Sequence, residues 1–360
     1  MQDGLNRREF LRRSAAGVAG AAAAWAARDV VADNPKPRMV VASGGGAADS
    51  AEATEKRLKA ALDKFGGMAK LLKGKKVVIK INATDGGWRD ANTSSQCTGA
   101  LMKLVKGYEP ASVTVIGQEW GGWRAKRKGL PTLGEVLKAA EVPVKQLPHY
   151  WVKTSKESYK LIEPQPPLWK ELMVASDVFG DDTVLLNLAR LKSHPHCVYT
   201  GAIKNIIGLT RCMYGFHMVD DTKWPKSHGD PANSDGWNVF PKKLAYAHKL
   251  AVGPRIALNI LDANEPCFGW RGPGKQRIHT FPAGVVVVGN DALAMDMYGC
   301  TMLHKQEPKL YPEPMADWSK GDSEYITFNR TKTNYLKVCA EIGVGQIDLG
   351  KVAVDEVTAS

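Results

Sequence analysis

The chain has 360 residues, of which 44% are hydrophobic and 24% are charged, and its formal net charge is +12. This composition is typical of a globular protein with a large core, and it excludes disordered and fibrous classes. A basic chain favours anionic partners. Its lysines and arginines are scattered, with one concentration at residues 124–128, and no helix-turn-helix, zinc-finger or ribonucleoprotein motif accompanies them. Specific nucleic-acid binding is therefore not expected.

The first 32 residues are predicted to be an export signal rather than part of the fold. Arg7 and Arg8 precede Glu-Phe-Leu, and an apolar run occupies residues 15–27. This run contains an Ala-x-Ala site at residues 24–26. This order is typical of a signal peptide, and the paired arginines resemble the twin-arginine (Tat) signal of bacteria. We expect a periplasmic or otherwise exported protein that contacts the Tat translocase during export. No stable membrane span is expected after cleavage, because a span needs about 20 apolar residues.

Segments with strand and helix patterns alternate from about residue 37 onwards. Strands are predicted at residues 39–42, 76–82, 112–117, 183–187, 255–262 and 284–289, and helices at residues 51–65, 98–105, 133–140 and after 289 through 300. A Pro-rich piece at residues 163–168 is predicted to cross the surface, and residues 218–245 are predicted to form a long loop. This alternation predicts an α/β fold: a mostly parallel sheet with helices on both faces in Rossmann-like layers, as a single large domain over residues 33–360.

Polar side chains stand at the ends of four predicted strands. Because the carboxyl ends of parallel strands meet at one edge of a sheet, where ligands bind, these side chains are predicted to line one pocket. They are Asn82, Thr84, Gln118, Glu119, Asn187 and Asp262.

Residues 187–208 form the densest polar cluster in the sequence. Lys192, His194, His196, Thr200, Lys204 and Asn205 lie within fourteen residues, and His217 follows. Lysines clamp phosphate or carboxylate groups, or act as a base or imine-forming amine when desolvated. Solvated lysines are the alternative, which we disfavour for Lys204 because residues 202, 203, 206 and 207 are apolar.

These residue types predict separate roles in the pocket. Lys204 and His194 are predicted to be catalytic together with Asp262, which lies at a strand end and suits acid–base chemistry. Binding of an anionic substrate or cofactor is predicted for Lys192, Thr200, Asn205 and Asn82.

A transition-metal site is predicted from three histidines. His194 and His196 project to one side if their segment is extended, and His217 is the candidate third ligand. The alternative is a pair of hydrogen-bonding histidines that fix a loop. The six cysteines are widely spaced without a C-x-x-C pair, so an iron–sulfur cluster is not expected.

Two sequence observations argue against other enzyme classes, and one residue has a predicted structural role. Residues 269–276 nearly satisfy the P-loop pattern, but Gln276 stands where Ser or Thr binds magnesium, so a nucleoside triphosphatase is rejected. No G-x-S-x-G elbow is present, so a serine hydrolase is not expected. Asp291 is predicted to be the N-cap of the helix that follows it.

Several blocks of the sequence resemble the family catalogued as domain of unknown function 362. They lie at residues 79–82, 187–194, 200–208, 259–263, 272–274 and 290–296, and together span residues 76–300. Many relatives contain an iron–sulfur module, which this sequence lacks, and the family implies no settled activity. The order His194, Gly201-x-x-Lys204, His217 also resembles the arrangement of nickel-pincer lactate racemases, in which Lys and His residues hold a nickel-bearing nucleotide.

These observations together favour an exported enzyme that acts on an anionic small molecule or uses an anionic cofactor, such as a metal- or cofactor-dependent oxidoreductase or isomerase. The alternative is a periplasmic binding or carrier protein that uses the same basic pocket without chemistry. A third class, surface binding to polyanions, would use residues 126–128.

Overall fold

The computed structural model describes residues 36–84, 89–118, 121–127, 129–147, 156–194, 197–211, 213–222, 236–268, 279–309, 311–318 and 333–360. The predicted export signal, Glu119, His196 and the P-loop-like segment lie outside these ranges. Among the helices in these ranges, none is long and apolar enough to cross a membrane.

Twelve strands and eight α-helices make up the described fold. The strands are β1 (Arg38–Gly44), β2 (Lys76–Ile81), β3 (Ser112–Gln118), β4 (Val144–Leu147), β5 (Tyr159–Leu161), β6 (Met173–Ala175), β7 (Thr183–His194), β8 (Val198–Thr200), β9 (Ile256–Phe268), β10 (His279–Thr280), β11 (Val285–Gly289) and β12 (Ala353–Ala359). The helices are α1 (Ala51–Phe65), α2 (Met68–Leu72), α3 (Ser95–Gly107), α4 (Leu133–Ala139), α5 (Ala202–Asn205), α6 (Gly236–Ala247), α7 (Ala292–Gln306) and α8 (Tyr335–Ile342).

A ten-stranded sheet forms the centre of the molecule. Its main path runs β12-β1-β11-β9-β7-β2-β3-β4, with β8 paired to β7 and β10 paired to β9. The five strands β9, β7, β2, β3 and β4 are mutually parallel. Strand β11 is antiparallel to both of its neighbours, and β12 is parallel to β1. Strands β5 and β6 form a separate antiparallel pair.

Helices cover both faces of the sheet, which explains why its central strands are almost continuously buried. On one face, Leu58 of α1 and Leu101 of α3 pack with Ile79 of β2 in one hydrophobic core. On the other face, Ile203 of α5 and Leu303 of α7 belong to a second core. Alternate residues of each strand enter the two cores, as the pleat of a β-strand requires.

The helices begin where their capping residues predict. Ser94 accepts a hydrogen bond from the main-chain N–H of Cys97 at the start of α3, and Thr132 with Glu135 forms a reciprocal capping box on α4. The Asp291 side chain accepts from the main-chain N–H of Ala294, which confirms the predicted N-cap of α7. Each cap pairs an N–H that has no partner within its own helix.

The predicted fold class is confirmed: the protein is a single α/β domain with a mostly parallel sheet. Two predicted strand ends were wrong, because β7 continues past residue 187 to His194 and β9 continues past residue 262 to Phe268. The polar residues in these extensions are buried and paired rather than solvated. The predicted loop at 218–245 was also wrong in its last third, where α6 begins at residue 236 and includes Pro241. Burial of Phe240 and Leu244 offsets the poor helix propensity of that segment.

A buried ion pair links three of these elements. Arg190 of β7 and Asp262 of β9 lie opposite each other in register, with 2.9 Å between NH1 and Oδ2 and side-chain exposures of 2% and 0%. The same Asp262 oxygen accepts a hydrogen bond from the main-chain N–H of Ser94 at 2.9 Å. The pair therefore fixes α3 against the sheet.

We predict that Arg190→Met lowers the free energy of unfolding by about 3–5 kcal/mol, because it leaves the Asp262 carboxylate buried without its counter-charge. The double variant Arg190→Met/Asp262→Leu is expected to recover most of that loss. Urea denaturation measures both. The control is Lys73→Met in the exposed Lys73–Glu109 pair, which is expected to change little. An equal loss in Arg190→Met and Lys73→Met would contradict the prediction.

Candidate anion-binding site

The chain changes sides in the sheet at β2. From β2 it proceeds to β3 and β4 on one side, and it then returns to β7 on the other side of β2. In open α/β sheets, ligands bind beyond the carboxyl ends of the strands at such a switch point. The ends of β2 and β7 place Lys80, Asn82 and Lys192 at this point.

A row of polar side chains crosses three strands just below this edge. Lys80, Asn187 and Asn259 occupy equivalent register positions on β2, β7 and β9. Asn205 of α5 joins the row: it accepts from Lys80 Nζ at 3.1 Å and donates to Asn187 Oδ1 at 2.8 Å. Asn187 Nδ2 donates in turn to Asn259 Oδ1 at 2.8 Å and to the carbonyl of Ala202 at 3.0 Å. These amides dock α5 onto the sheet in one orientation.

The turn that precedes α5 is fixed by hydrogen bonds to Asp296 of α7. The Asp296 carboxylate accepts from the main-chain N–H groups of Ala202 at 2.6 Å and Ile203 at 3.1 Å. A methyl group at Gly201 would lie 2.3 Å from Asp296 Oδ1, so no larger residue fits at that position. Burial raises the pKa of Asp296 to about 7. The turn therefore has a fixed place between the sheet and α7.

Lys80 is an isolated cation within this network. Only 3% of its surface is exposed, and Nζ donates to two neutral acceptors, Asn205 Oδ1 and the carbonyl of Ile81. Burial, followed by repulsion from the Lys192 ammonium, lowers the pKa of Lys80 to about 7. The two lysines approach the edge from opposite faces of the sheet, since Lys80 belongs to the α5 side and Lys192 to the α3 side.

Lys192 belongs to a chain of polar groups on the α3 side. Its Nζ donates to the carbonyl of Ala91 at 2.5 Å and to Thr84 Oγ1 at 3.4 Å, and Thr84 donates to Asn82 Oδ1 at 2.9 Å. Thr200 of β8 lies opposite Lys192 in register. The Thr200 hydroxyl is buried and makes no hydrogen bond within the described part of the chain.

Lys204 is a third lysine close to the same edge. It is half-buried, and its ammonium makes no hydrogen bond or ion pair with any other described residue. Burial lowers the pKa of Lys204. The buried thiol of Cys197 lies within the electrostatic range of both Lys204 and Lys192, although burial dominates and raises the pKa of this thiol to about 11. The cations of Lys192 and Lys204 thus lie around one small region.

Five of the predicted binding and catalytic residues are brought to this edge: Lys192, Thr200, Lys204, Asn205 and Asn82. Asp262 is also buried there, but all of its described contacts are structural. Its Oδ2 accepts from Arg190 and Ser94, and its Oδ1 accepts from Asn264. Burial raises the pKa of Asp262, but the charge of Arg190 and the hydrogen bonds from Ser94 and Asn264 together outweigh burial and lower this pKa, so the carboxyl remains ionised. Its catalytic role stays a prediction.

The predicted metal ligands are not assembled by the described residues. His194 is the buried last residue of β7, whereas the ring of His217 stacks on Phe240 of α6 with 4.5 Å between centroids. His196 lies outside the described residues. Within the described ranges, no group of three or more His, Cys, Asp or Glu side chains is placed to hold a metal ion. The metal site therefore stays a prediction.

Sequence reasoning missed two residues of the site, Lys80 and Asp296. Lys80 had a detectable signal, because a charged residue in the apolar run of a central parallel strand must be buried. Asp296 lies in the middle of α7, 94 residues from Ala202, and no local pattern connects the two.

A cavity of about 410 Å³ opens at the opposite edge of the sheet. Its lining includes three aspartates, Asp177, Asp181 and Asp182, of which the first and last pair with Lys145 and Lys75. These carboxylates make that cavity unsuitable for an anion.

The family described as Domain of unknown function (DUF362) matches residues 77–301, which is more than half of the chain. The chain belongs to the DUF362 family. The match includes Lys80, Lys192, Lys204 and Asp296, so the whole described edge lies in the part that defines the family.

The other comparisons do not indicate a function for this DUF362 protein. No curated protein matches it. A solved structure of a Thermotoga maritima protein from the Northeast Structural Genomics Consortium is similar over 73% of this chain, with 13% sequence identity and a TM-score of 0.42. That match covers 60% of the Thermotoga protein.

We predict that stability depends on pH through Lys80. Its pKa is about 7 in the folded chain against 10.5 ordinarily, so over this interval the unfolded chain binds one more proton. Lys80 therefore makes unfolding less favourable as pH rises, by about 1.4 kcal/mol per pH unit. In Lys80→Met this contribution disappears.

Urea denaturation of both proteins at pH 6, 7.5 and 9 measures the effect. The stability of the original chain relative to Lys80→Met is expected to rise with pH. Lys73→Met, at an exposed position, is the control and is expected to show no such trend. A stability difference that does not change with pH would show that Lys80 is solvated.

Proposed function

We propose that this DUF362 protein binds an anionic small molecule or anionic cofactor at the carboxyl edge of β2 and β7. The observation that supports the proposal best is the buried Lys80, whose Nζ donates only to neutral acceptors among the described residues and lies within electrostatic range of a second buried lysine, Lys192. Two neighbouring cations in a low dielectric repel each other, and an anion bound at the edge that both approach offsets that repulsion. Lys204 supplies a third cation, and the Thr200 hydroxyl supplies a donor.

We further propose that the site belongs to an enzyme. An amine whose pKa lies near 7 is partly unprotonated at neutral pH, as a general base or an imine-forming nucleophile must be. Lys80 meets this condition, and the pKa of Lys204 is lowered in the same direction. Proton transfer at a carbon or oxygen next to an anionic group is the chemistry that this arrangement supports. An isomerase or a cofactor-dependent oxidoreductase would use such a step.

Lys204→Met is predicted to weaken the binding of inorganic phosphate or citrate by about tenfold to a hundredfold, because a charge-assisted contact contributes about 1.5–3 kcal/mol. Isothermal titration calorimetry at physiological salt measures this change. The matched control is Lys126→Met, since Lys126 is exposed on the surface.

Two other results would redirect the proposal. Equal losses in Lys204→Met and Lys126→Met, with binding that collapses as salt is added, would indicate surface attraction of polyanions instead. Tight, reversible binding by a protein that converts none of the anions it binds would favour the carrier function.

We also propose that the chain is exported by the Tat route. The support is the sequence Arg7-Arg8-Glu-Phe-Leu followed by a short apolar run. The double variant Arg7→Lys/Arg8→Lys is predicted to stay in the cytoplasm of a Tat-competent bacterium, as measured by fractionation and immunoblotting.

The matched control for export is Arg12→Lys/Arg13→Lys, which changes a second arginine pair outside the motif and is expected to leave export intact. Export of the Arg7/Arg8 variant at the original level, or export in a strain without the Tat translocase, would refute this route.

A further inference from the structure

Gln118, the last residue of β3, has a buried hydrogen-bond acceptor that no described residue pairs. Only 3% of the residue is exposed, and its side-chain Oε1 makes no hydrogen bond within the ranges that the structure describes. Its main-chain carbonyl, in contrast, accepts from Trp123 Nε1 at 2.8 Å. A buried acceptor left unpaired is unfavourable, and most buried polar groups are paired by protein, water or a ligand.

The Gln118 side chain lies beside Lys80. Ile116 is the register partner of Lys80, so Gln118, two residues further along β3, projects from the same face of the sheet. Gly208 stands against both: a methyl group there would lie 2.8 Å from Lys80 Nζ and 3.7 Å from Gln118 Cγ. A glycine at this position therefore lets Lys80 Nζ pack closely against residue 208 beside the Gln118 side chain.

The donor and the acceptor in this space do not satisfy each other. The Lys80 ammonium has three hydrogens and donates to two acceptors, neither of which is Gln118. One ligand can pair both groups if it has an anionic oxygen for the lysine and a hydrogen to donate to Gln118.

We infer that Gln118 determines specificity in this site, by accepting a hydrogen bond from a hydroxyl or amino group that the bound anion carries near its charge. The inference rests on the proposed anion site. It narrows the ligand class to hydroxylated or aminated carboxylates and phosphate esters. A plain anion has no hydrogen to donate and leaves the Gln118 oxygen unpaired, so the site discriminates against it.

Two pairs of probes test this inference by calorimetry. Malate and succinate differ by one hydroxyl, as do glycerol 3-phosphate and propyl phosphate. The original chain is expected to bind the hydroxylated member of at least one pair about tenfold more tightly, as one satisfied buried acceptor implies. The pair with the larger ratio shows whether the charged group is a carboxylate or a phosphate.

The ratio is expected to fall to about one in Gln118→Met, which has a similar shape and no acceptor. Gln118→Asn, which keeps the amide but withdraws it from the site, is expected to reduce the ratio as well. Lys126→Met is the control that retains the original ratio. Because Gln118→Met removes an unpaired buried acceptor, its thermal unfolding midpoint without ligand should not fall.

The outcomes separate the inference from the function on which it rests. If none of the four probes binds to the original chain, both the anion site and the role of Gln118 are overturned. If the probes bind but the members of each pair bind equally, or the preference persists in Gln118→Met, the role of Gln118 is overturned and the anion site stands.

Discussion

The hydrogen-bonded row Lys80–Asn205–Asn187–Asn259 is the constraint on which the site depends. Side-chain amides in the interior of a sheet must be paired, because each unpaired group costs about 1–3 kcal/mol. The observed placement of α5 pairs the amides of Asn187 and Asn205 together with the lysine. That placement also fixes Thr200, Lys204 and Gly208, which lie shortly before the helix, within it and shortly after it. The polar row therefore fixes the position of this short helix, which forms one side of the site.

The two kinds of buried charge in this sheet have different consequences. Arg190 is neutralised by Asp262 on the next strand, and the pair fixes the start of α3. Among the described residues Lys80 has no such counter-charge, and its hydrogen-bond partners are an amide and a carbonyl. The first arrangement stabilises the fold, whereas the second leaves a positive potential at the edge where the sheet changes direction. An external anion bound at this edge would neutralise the charge of Lys80.

Much of the fold could be predicted from the sequence, because long apolar runs and capping residues are local signals. Helix α1 and the core of β2, β3 and β11 follow from such patterns. The ends of β7 and β9 could not be predicted, because Arg190 and Lys192 resemble loop residues until their partners on other elements are known. Helix α6 was missed for a related reason, since its stability comes from burial of Phe240 rather than from local propensity.

The sequence predicted where the candidate site lies, but it did not predict the contacts within that site. The density of Lys, His and Asn at residues 187–208 located the edge, and the carboxyl-end rule linked it to Asn82. The role of Asp296 and the electrostatic effect of Lys192 on Lys80 depend on the proximity of residues about one hundred positions apart. Such contacts leave no periodicity in a single sequence.

The pairing of β1 has a consequence for how the chain matures. This strand lies between β11 and β12, so its hydrogen bonds wait for residues 285–289 and 353–359 to be synthesised. The pairing of β1 therefore joins segments that are far apart in the sequence, and contacts of this sequence separation form slowly. Until then β1 is an unpaired apolar strand that is prone to associate with other chains. An export route that waits for completed folding would protect the chain through this interval.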